Sequence, residues 1–199
     1  MFYEPRRRNH GLPHNPLKAI VAPRPIGWIS TLSADGVANL APYSFFNLVS
    51  ETPDIVMFSS HGLKDTVRNV MATGEFVCNL PTLELMEAVN LSSKPIPPGE
   101  SEFDLAELER APSRLVKPPR VAAAPCALEC VWIETTELRD RHGATTGRHI
   151  TYGEVIGVHV DEAYVEDGRL RTDRMRSLAR CGYFDYAWVE TLRSVPRPT

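Results

Sequence analysis

Two long stretches in the second half of the chain alternate between apolar and polar side chains with a period of two residues. They run from Ala127 to Leu138 and from His149 to Val160, and residues 139–148 join them through Gly143 and Gly147. A period of two is typical of a β-strand, because successive side chains point to opposite faces of a sheet. The glycine-bearing connection predicts an antiparallel hairpin, and any fold for this chain must be built around it.

The rest of the chain predicts several shorter strands and few helices. Strand signals lie within 19–32, 37–44, 54–58, 75–80 and 163–165, with turns expected at 33–36 and 166–168. Helical patterns cover 65–73, 82–90 with Thr82 as the cap, a short piece at 104–110 and part of 177–186. Six or more strands with so few helices predict a mainly β fold, a β-barrel with peripheral helices, in preference to a doubly wound α/β sheet.

Length and composition favour one domain. The chain has 199 residues, 43% hydrophobic and 24% charged, which is enough for one sizeable core. Residues 1–18 are polar and basic and are expected to form an N-terminal arm, followed by a single domain over 19–199. A net charge of −3 gives no field that would attract nucleic acid or an anionic membrane. Without an apolar run long enough for a membrane span or a signal peptide, the expected location is cytoplasmic.

The cysteines and histidines do not predict a metal site. The four cysteines, Cys78, Cys126, Cys130 and Cys181, include no CxxC pair. A structural zinc site usually draws on such pairs, and the cytosol disfavours disulfides. Buried, unreactive thiols are therefore expected.

The junction between a strand and a helix at residues 54–69 is the first candidate binding site. Ser59, Ser60, Lys64 and Thr66 surround the predicted start of the helix that begins at Asp65. A helix N-terminus carries unsatisfied N–H donors and a partial positive charge, so these residues are suited to binding a phosphate. The alternative is that Asp65 or Ser60 simply caps the helix. No GxxxxGK[ST] loop is present, so triphosphate chemistry is not indicated.

Pro42 marks a second candidate site. Because proline has no N–H, the strand that contains it is expected to open there and to leave backbone donors facing the gap. Tyr43, Phe45 and Phe46 follow as flat apolar surface beside Ser44 and Asn47. The alternative is an aromatic core cluster at a bend. The long proline-rich loop at 91–120 is either functional or a surface excursion, and its sequence does not decide between them.

Three segments, taken together, resemble the flavin reductase-like proteins with an FMN-binding split barrel. They are Ala22–Thr31 (APRPIGWIST), Asn39–Asn47 (NLAPYSFFN), and Ser59–Ser60 followed by Lys64–Thr66 and Asn69. Gly74–Asn79, Ser101–Phe103 and Gly153–His159 also resemble the family's motifs, so the likeness covers nearly the whole chain. It implies a homodimeric split β-barrel that binds FMN at the subunit interface.

The resemblance also implies roles for individual residues. Arg24, Trp28 and Ser30 on the first strand would line the cofactor, and Ala41, Pro42, Tyr43, Ser44 and Asn47 would face the isoalloxazine ring. Ser59, Ser60, Lys64, Asp65 and Thr66 would hold the ribityl chain and the phosphate, and Tyr183 would touch the flavin of the partner subunit. No side chain would act as general acid or nucleophile, and no metal is implied.

The implied activity is that of an NAD(P)H-dependent flavin oxidoreductase. Hydride would pass from the nicotinamide C4 to flavin N5, and the flavin would pass electrons onward, including to a protein acceptor. No GxGxxG fingerprint is present, so NADH or NADPH would bind transiently without a Rossmann domain. Two alternatives stay open: a non-enzymatic FMN electron-transfer protein, and a split-barrel interaction domain without flavin. The sequence does not distinguish FMN from FAD, or NADH from NADPH.

Overall fold

Short and long β-strands dominate the computed structural model, which describes residues 1–97 and 99–198. In that part of the chain the strands are β1 (Arg24–Pro25), β2 (Gly27–Leu32), β3 (Ala38–Tyr43), β4 (Phe46–Glu51), β5 (Asp54–His61), β6 (Glu75–Asn79), β7 (Arg110–Ala111), β8 (Arg120–Val121), β9 (Cys126–Arg139), β10 (Thr145–Val160), β11 (Val165–Glu166), β12 (Arg169–Leu170), β13 (Leu178–Arg180) and β14 (Tyr186–Trp188). The helices are α1 (Leu17–Ile20), α2 (Asp65–Thr73), α3 (Met86–Leu91), α4 (Glu102–Leu105) and α5 (Thr172–Met175), with 3₁₀ turns at Leu83–Leu85 and Glu162–Tyr164. None of these helices is long and apolar enough to cross a membrane.

A seven-stranded antiparallel sheet in the order β3-β2-β6-β9-β10-β5-β4 forms the centre of the molecule. The edge strands β3 and β4 are consecutive in the chain, and Ser44 and Phe45 link them. The two edges must therefore come close together, and the Ser59 N–H on β5 donates to the Phe45 carbonyl at 2.8 Å. The sheet is consequently curled into a barrel that stays open along this seam. The predicted mainly β class and split β-barrel are confirmed.

The predicted hairpin is the longest paired unit of the sheet. Strands β9 and β10 pair from Thr145–Arg139 to Val160–Cys126, with irregularities near Gly153 and Gly157. Gly153 is required by packing, because a Cβ there would lie 2.3 Å from Cζ of Phe76. Atoms at that separation overlap, so no larger residue fits without displacing the ring.

Alternate residues of β2 face two different cores. Ile29 faces the barrel interior, where it packs with Phe58, Phe76 and, from α2, Val67 and Val70. Trp28 faces the other side of the sheet and packs in a core with Leu40, Val89 and Phe103, among others. Helix α2 therefore packs against the barrel interior, whereas α3 and α4 contribute Val89 and Phe103 to the core on the outer face of β2 and β3.

Several local predictions are wrong. Residues 178–180 form strand β13 rather than helix, because they pair with Arg24–Pro25 and with β14. The helix expected at 104–110 begins earlier, at Glu102. Thr82 precedes a 3₁₀ turn, and its side chain makes no capping hydrogen bond. The sequence predicts no strand directly after Tyr43, yet Phe46–Glu51 is an edge strand paired with β5; Ser44 and Phe45 before it form a bend.

Candidate functional site

Strand β5 and helix α2 meet at a turn in which the helix start is left uncapped. Gly62 turns the chain with φ +73°, and its N–H donates to Gly147 at 2.8 Å. Lys64 is the N-cap residue in extended conformation and makes no side-chain capping bond. The first helical hydrogen bond runs from Arg68 N–H to Lys64 O at 3.0 Å. The N–H groups of the first turn therefore point out of the helix with its positive dipole end behind them.

Neither residue proposed as an alternative cap fills that role. The Ser60 hydroxyl donates to the Gly62 carbonyl at 3.0 Å, and the Asp65 carboxylate pairs with Arg68 one turn along the helix. The predicted helix itself is confirmed, and it ends at Gly74 in the left-handed conformation, φ +75°. The capping interpretation of this junction is wrong, and its donors stay available to an anion.

A cleft of about 520 Å³ opens beside this junction. Its lining comes from β3, from the start of α2 and from the turn that follows α3. Six of the residues predicted from sequence line it together: Ala41, Pro42, Tyr43, Lys64, Asp65 and Thr66. A volume in the range of small-molecule sites, with an apolar β3 wall and a polar helix end, suits a ligand with a flat ring and a charged tail.

Buried polar side chains line the cleft near the helix start. Asn39 Nδ2 donates to Thr66 Oγ1 at 3.0 Å, and both residues are buried. Thr66 therefore keeps its hydroxyl proton free to donate to a ligand. The Tyr43 hydroxyl is also buried and, among the described residues, has no hydrogen-bond partner of acceptable geometry. Burial raises the pKa of Tyr43, although the neighbouring Thr66 and Ser60 hydroxyls oppose that rise.

Charges of both signs meet in the cleft. Lys64, Arg68 and Lys94 bring positive charge, while Asp65 and Glu102 bring carboxylates. Arg68 is held by Asp65 on the same helix. Glu102 Oε2 accepts the Leu40 N–H at 2.9 Å, and burial raises the pKa of this carboxyl. The raised pKa means that Glu102 loses its negative charge more readily than an exposed glutamate as the pH falls.

The β3 edge differs from the expected opening at Pro42. β3 stays paired with β2 through Tyr43, which lies opposite Gly27. The Leu40 N–H points away from β2 and donates to Glu102. Position 42 is two residues further along, so an N–H there would also point away from β2, and the proline removes no hydrogen bond between β3 and β2. Beyond the strand, neither Ser44 nor Phe45 donates a backbone hydrogen bond to any residue that the structure describes. Free donors are therefore present, but they follow the strand instead of interrupting it.

Three predicted residues on the first strands lie outside the cleft. Trp28 has no exposed surface, and its indole N–H donates to Ser92 Oγ at 2.9 Å. Ser30 is likewise fully buried and donates to the Pro119 carbonyl at 2.6 Å. The Arg24 guanidinium bonds to backbone carbonyls, among them that of Cys181 at 2.7 Å. In this structure these side chains bind the protein itself.

The remaining predicted residues do not line the cleft. Ser59 and Ser60 lie at the end of β5 next to the helix start, and Ser44 lies at the seam between β3 and β4. Asn47 is exposed on β4, where its side-chain oxygen Oδ1 accepts the Leu48 N–H at 3.0 Å. Tyr183 is 48% exposed near the C-terminus and contacts His14 of the N-terminal arm, with ring centroids 5.7 Å apart.

Sequence reasoning missed several lining residues. They are Asn39, Ser92, Ser93, Lys94, Ile96 and Glu102, among others. Asn39 and Glu102 belong to motifs that carry the family resemblance, so those motifs were the available signal. Ser92–Ile96 reach the cleft only through the fold of the 91–120 loop, for which no local pattern indicated a role. Among the described residues, no three His, Cys, Asp or Glu side chains are grouped to hold a metal ion.

Comparison with known proteins identifies the family. Residues 21–178 match the family described as "Flavin reductase like domain". This chain belongs to that family. The resemblance to the flavin reductase-like proteins that was inferred from the sequence is confirmed.

Individual relatives extend over nearly the whole chain. An uncharacterized protein of Aquifex aeolicus is 35% identical over 169 residues, covering 82% of this chain and 83% of its own length. The crystal structure of nitrilotriacetate monooxygenase component B from Bacillus cereus is similar with a TM-score of 0.89 and 28% identity, covering 98% of each chain. That of 2-nitrobenzoate 2-nitroreductase NbaA from Pseudomonas fluorescens has a TM-score of 0.81 and 26% identity, covering 92% of this chain and 89% of that one.

Proposed function

We propose that this flavin reductase-like protein binds FMN in the cleft between β3, α2 and the turn after α3, and that it catalyses NAD(P)H-dependent flavin reduction. The observation that carries the proposal is the uncapped start of α2, with its free N–H groups beside Lys64 and the unpartnered hydroxyl of Tyr43. A buried donor without a partner is costly in a folded protein, so the Tyr43 hydroxyl beside the open helix start supports a ligand that accepts hydrogen bonds there.

The donors present fit the phosphate of FMN. Lys64 supplies positive charge, the first-turn N–H groups supply backbone donors, and Thr66 has a free hydroxyl proton because it accepts from Asn39. The apolar surface of Ala41, Pro42 and Tyr43 would lie against the ring. Bound FMN supplies the group that accepts hydride from a nicotinamide and passes electrons onward.

Backbone donors beyond β3 suit the polar edge of the ring. Ser44 and Phe45 have backbone N–H groups without partners in the described part of the chain. The backbone at Phe45 is held in place because the Phe45 carbonyl accepts the Ser59 N–H at 2.8 Å. Fixed donors stabilise charge that grows during a reaction, because they need no reorganisation. We assign these N–H groups to the edge of the flavin that becomes negative on reduction.

A cytoplasmic homodimer is the proposed working form. Leu48 and Val49 on the edge strand β4 are exposed, as are Val131 and Ile133 on β9 and Val158 on β10. Exposed apolar side chains on the edge strand β4 and on the paired strands β9 and β10 are candidates for contact with a second subunit. Tyr183 would then be available to the partner's flavin. Size-exclusion chromatography with light scattering tests this, and a strictly monomeric mass would contradict it.

Onward electron transfer is supported by one relative. The protein from Bacillus cereus is component B of a monooxygenase, so that protein works beside another component. By analogy, we propose that this chain delivers reducing equivalents to a separate acceptor, carried by reduced flavin or by direct contact between proteins.

Anaerobic mixing with NADH or NADPH tests the activity. The purified protein is loaded with FMN, and the flavin absorbance near about 450 nm is followed after each nicotinamide is added. Bleaching at a rate far above that of free FMN, followed by turnover when excess FMN is supplied, is expected. Tight flavin binding without bleaching by either nicotinamide would indicate an electron-transfer protein instead. A protein that binds no flavin would leave only the interaction-domain alternative.

A further inference from the structure

The turn after α3 brings a second lysine to the cleft. Lys64 lines the cleft from the start of α2, and Lys94 lines it from the turn that follows α3. Arg68 also lines the cleft, but its charge is paired with Asp65. Neither Lys64 nor Lys94 forms an ion pair within residues 1–97 and 99–198. Two separate elements thus each present one unpaired cation to the same space.

The position of Lys94 is set by a well-bonded turn. The Lys94 N–H donates to Leu91 O at 3.1 Å, and the Ser93 hydroxyl donates to Asn90 O at 2.6 Å. Ser92 closes the helix end, since its N–H donates to Ala88 O at 2.9 Å. Hydrogen bonds at each of these successive residues restrict the backbone from which the Lys94 side chain extends.

Ser92 connects this turn to the core. Its hydroxyl donates to Val89 O at 3.0 Å and accepts the indole N–H of Trp28 at 2.9 Å. Ser92 is 2% exposed and Trp28 0%, so both groups are shielded from water and their hydrogen bond has no solvent competitor. The Trp28 ring is held by the core on the outer face of β2 and β3. The turn that carries Lys94 is therefore anchored to a fully buried aromatic residue of the sheet.

We propose that Lys94 is a second phosphate-binding cation of the flavin site and that the Trp28–Ser92 hydrogen bond positions it. This rests on the proposed function and adds a residue to it. The phosphate would be bound by cations from two elements, with the free N–H groups of α2 and the unpartnered, buried Tyr43 hydroxyl beside them. A dianionic phosphate monoester matches two lysines better than an uncharged flavin does. Trp28 thereby contributes to the site without touching the ligand.

Comparison of FMN with riboflavin tests the role of Lys94, because only FMN carries the phosphate. Titrations of the full chain at constant salt are expected to show that Lys94→Ala raises the Kd of FMN about tenfold, the loss typical of one charge-assisted hydrogen bond. The Kd of riboflavin should change less than about twofold. Lys117→Ala, at an exposed lysine outside the cleft, is the matched control and should change neither.

The positioning role of Ser92 is tested by a double-mutant cycle. Ser92→Ala should weaken FMN severalfold on its own and should weaken it hardly further when Lys94→Ala is already present. Equal effects of Ser92→Ala in both backgrounds would show that it acts independently of Lys94. A circular dichroism melt of each variant checks that the fold is kept, since Ser92→Ala leaves a buried indole N–H without a partner.

The possible outcomes separate this inference from the proposed function. If Lys64→Ala weakens FMN selectively while Lys94→Ala weakens FMN and riboflavin equally or not at all, the role of Lys94 is refuted and the flavin site stands. If the wild-type chain binds neither flavin, the proposed function itself is refuted. Selective loss of FMN binding in both lysine variants supports both proposals.

Discussion

The carboxylate of Glu129 gives the sharpest stability prediction for this fold. Glu129 lies on β9 with no exposed surface, and its two oxygens accept the backbone N–H groups of Arg114, Leu115 and Val116 at 2.7, 2.6 and 3.1 Å. His159 on β10 contacts the same carboxylate through Nε2. A single buried charge thus holds the loop that connects β7 and β8 against the sheet.

The pKa of Glu129 measures how strongly the folded state favours this charge. Burial alone raises the pKa, but the hydrogen bonds from Arg114, His159, Leu115 and Val116 outweigh it and lower the pKa from 4.5 to about 2. Each pH unit corresponds to about 1.36 kcal/mol, so the ionised carboxylate stabilises the folded state by about 3 kcal/mol at neutral pH. Because the folded pKa is depressed, that contribution is present above pH 4.5 and is lost as the pH falls toward 2.

Glu129→Gln should therefore reduce the free energy of unfolding by about 3 kcal/mol at pH 7. The amide keeps one acceptor but loses the charge and turns a donor toward groups that are themselves donors. For a chain of this length the loss corresponds to a fall in Tm of roughly 6–12 °C. Urea unfolding at one fixed protein concentration measures it, since association would otherwise contribute to the apparent stability.

The pH dependence distinguishes this explanation from simple damage to packing. The difference between wild type and Glu129→Gln should narrow between pH 4.5 and pH 3, because the carboxyl group then takes up a proton in the unfolded wild type while it stays ionised in the folded state. Glu134→Gln, an exposed position on the same strand, is the control and should stay within about 0.5 kcal/mol of wild type. A loss below about 1 kcal/mol at pH 7, or a difference that stays constant down to pH 3, would refute the reasoning.

Three further predictions concern the cleft and the barrel. Lys64→Ala and Thr66→Ala should each raise the Kd of FMN about tenfold with little effect on the Kd of riboflavin. If titrations show that both ligands lose affinity equally, the phosphate does not bind at these two residues. Tyr43→Phe should leave the free energy of unfolding in urea unchanged or slightly higher, because no protein hydrogen bond is lost. The same substitution should raise the Kd of FMN, and an unaltered Kd would mean that the hydroxyl does not bind the ligand. Gly153→Ala should destabilise the barrel by about 1–3 kcal/mol in thermal melts, because its methyl group would overlap the Phe76 ring, and an unchanged Tm would show that the ring can move.

Elements with strong local patterns could be predicted from the sequence. The hairpin of β9 and β10 follows from a sustained two-residue period, and α2 follows from the spacing of Val67, Val70 and Met71 with a terminating Gly74. Strand β4 has no such pattern, because both of its faces are largely exposed. Strand β13 is only three residues long, and it forms because Arg24–Pro25 lie beside it. A pairing between residues so far apart in sequence leaves no local pattern from which it could be predicted.

Some residues of the candidate site could likewise be predicted from the sequence, and others could not. Lys64, Asp65 and Thr66 could be predicted because they are adjacent in sequence at a strand-to-helix junction, whose chemistry is local. Trp28 could not be placed, because alternation along β2 shows that it shares a face with Ser30 but not whether that face meets ligand or core. Lys94 and Glu102 reach the cleft only when the 91–120 loop folds over β3, which is a property of the tertiary structure.

Two of the buried polar atoms without a hydrogen-bond partner lie near Ser60, at the end of β5. Within the described ranges, three buried side-chain atoms lack a hydrogen-bond partner: Arg24 Nε, Tyr43 Oη and His149 Nδ1. Tyr43 lies beside Ser60, and His149 pairs with Ser60 across the sheet. The uncapped start of α2 follows a few residues later. Tyr43 lines the cleft beside the helix start, and we propose that the ligand of the cleft supplies the acceptor that the buried Tyr43 hydroxyl lacks in the described part of the chain.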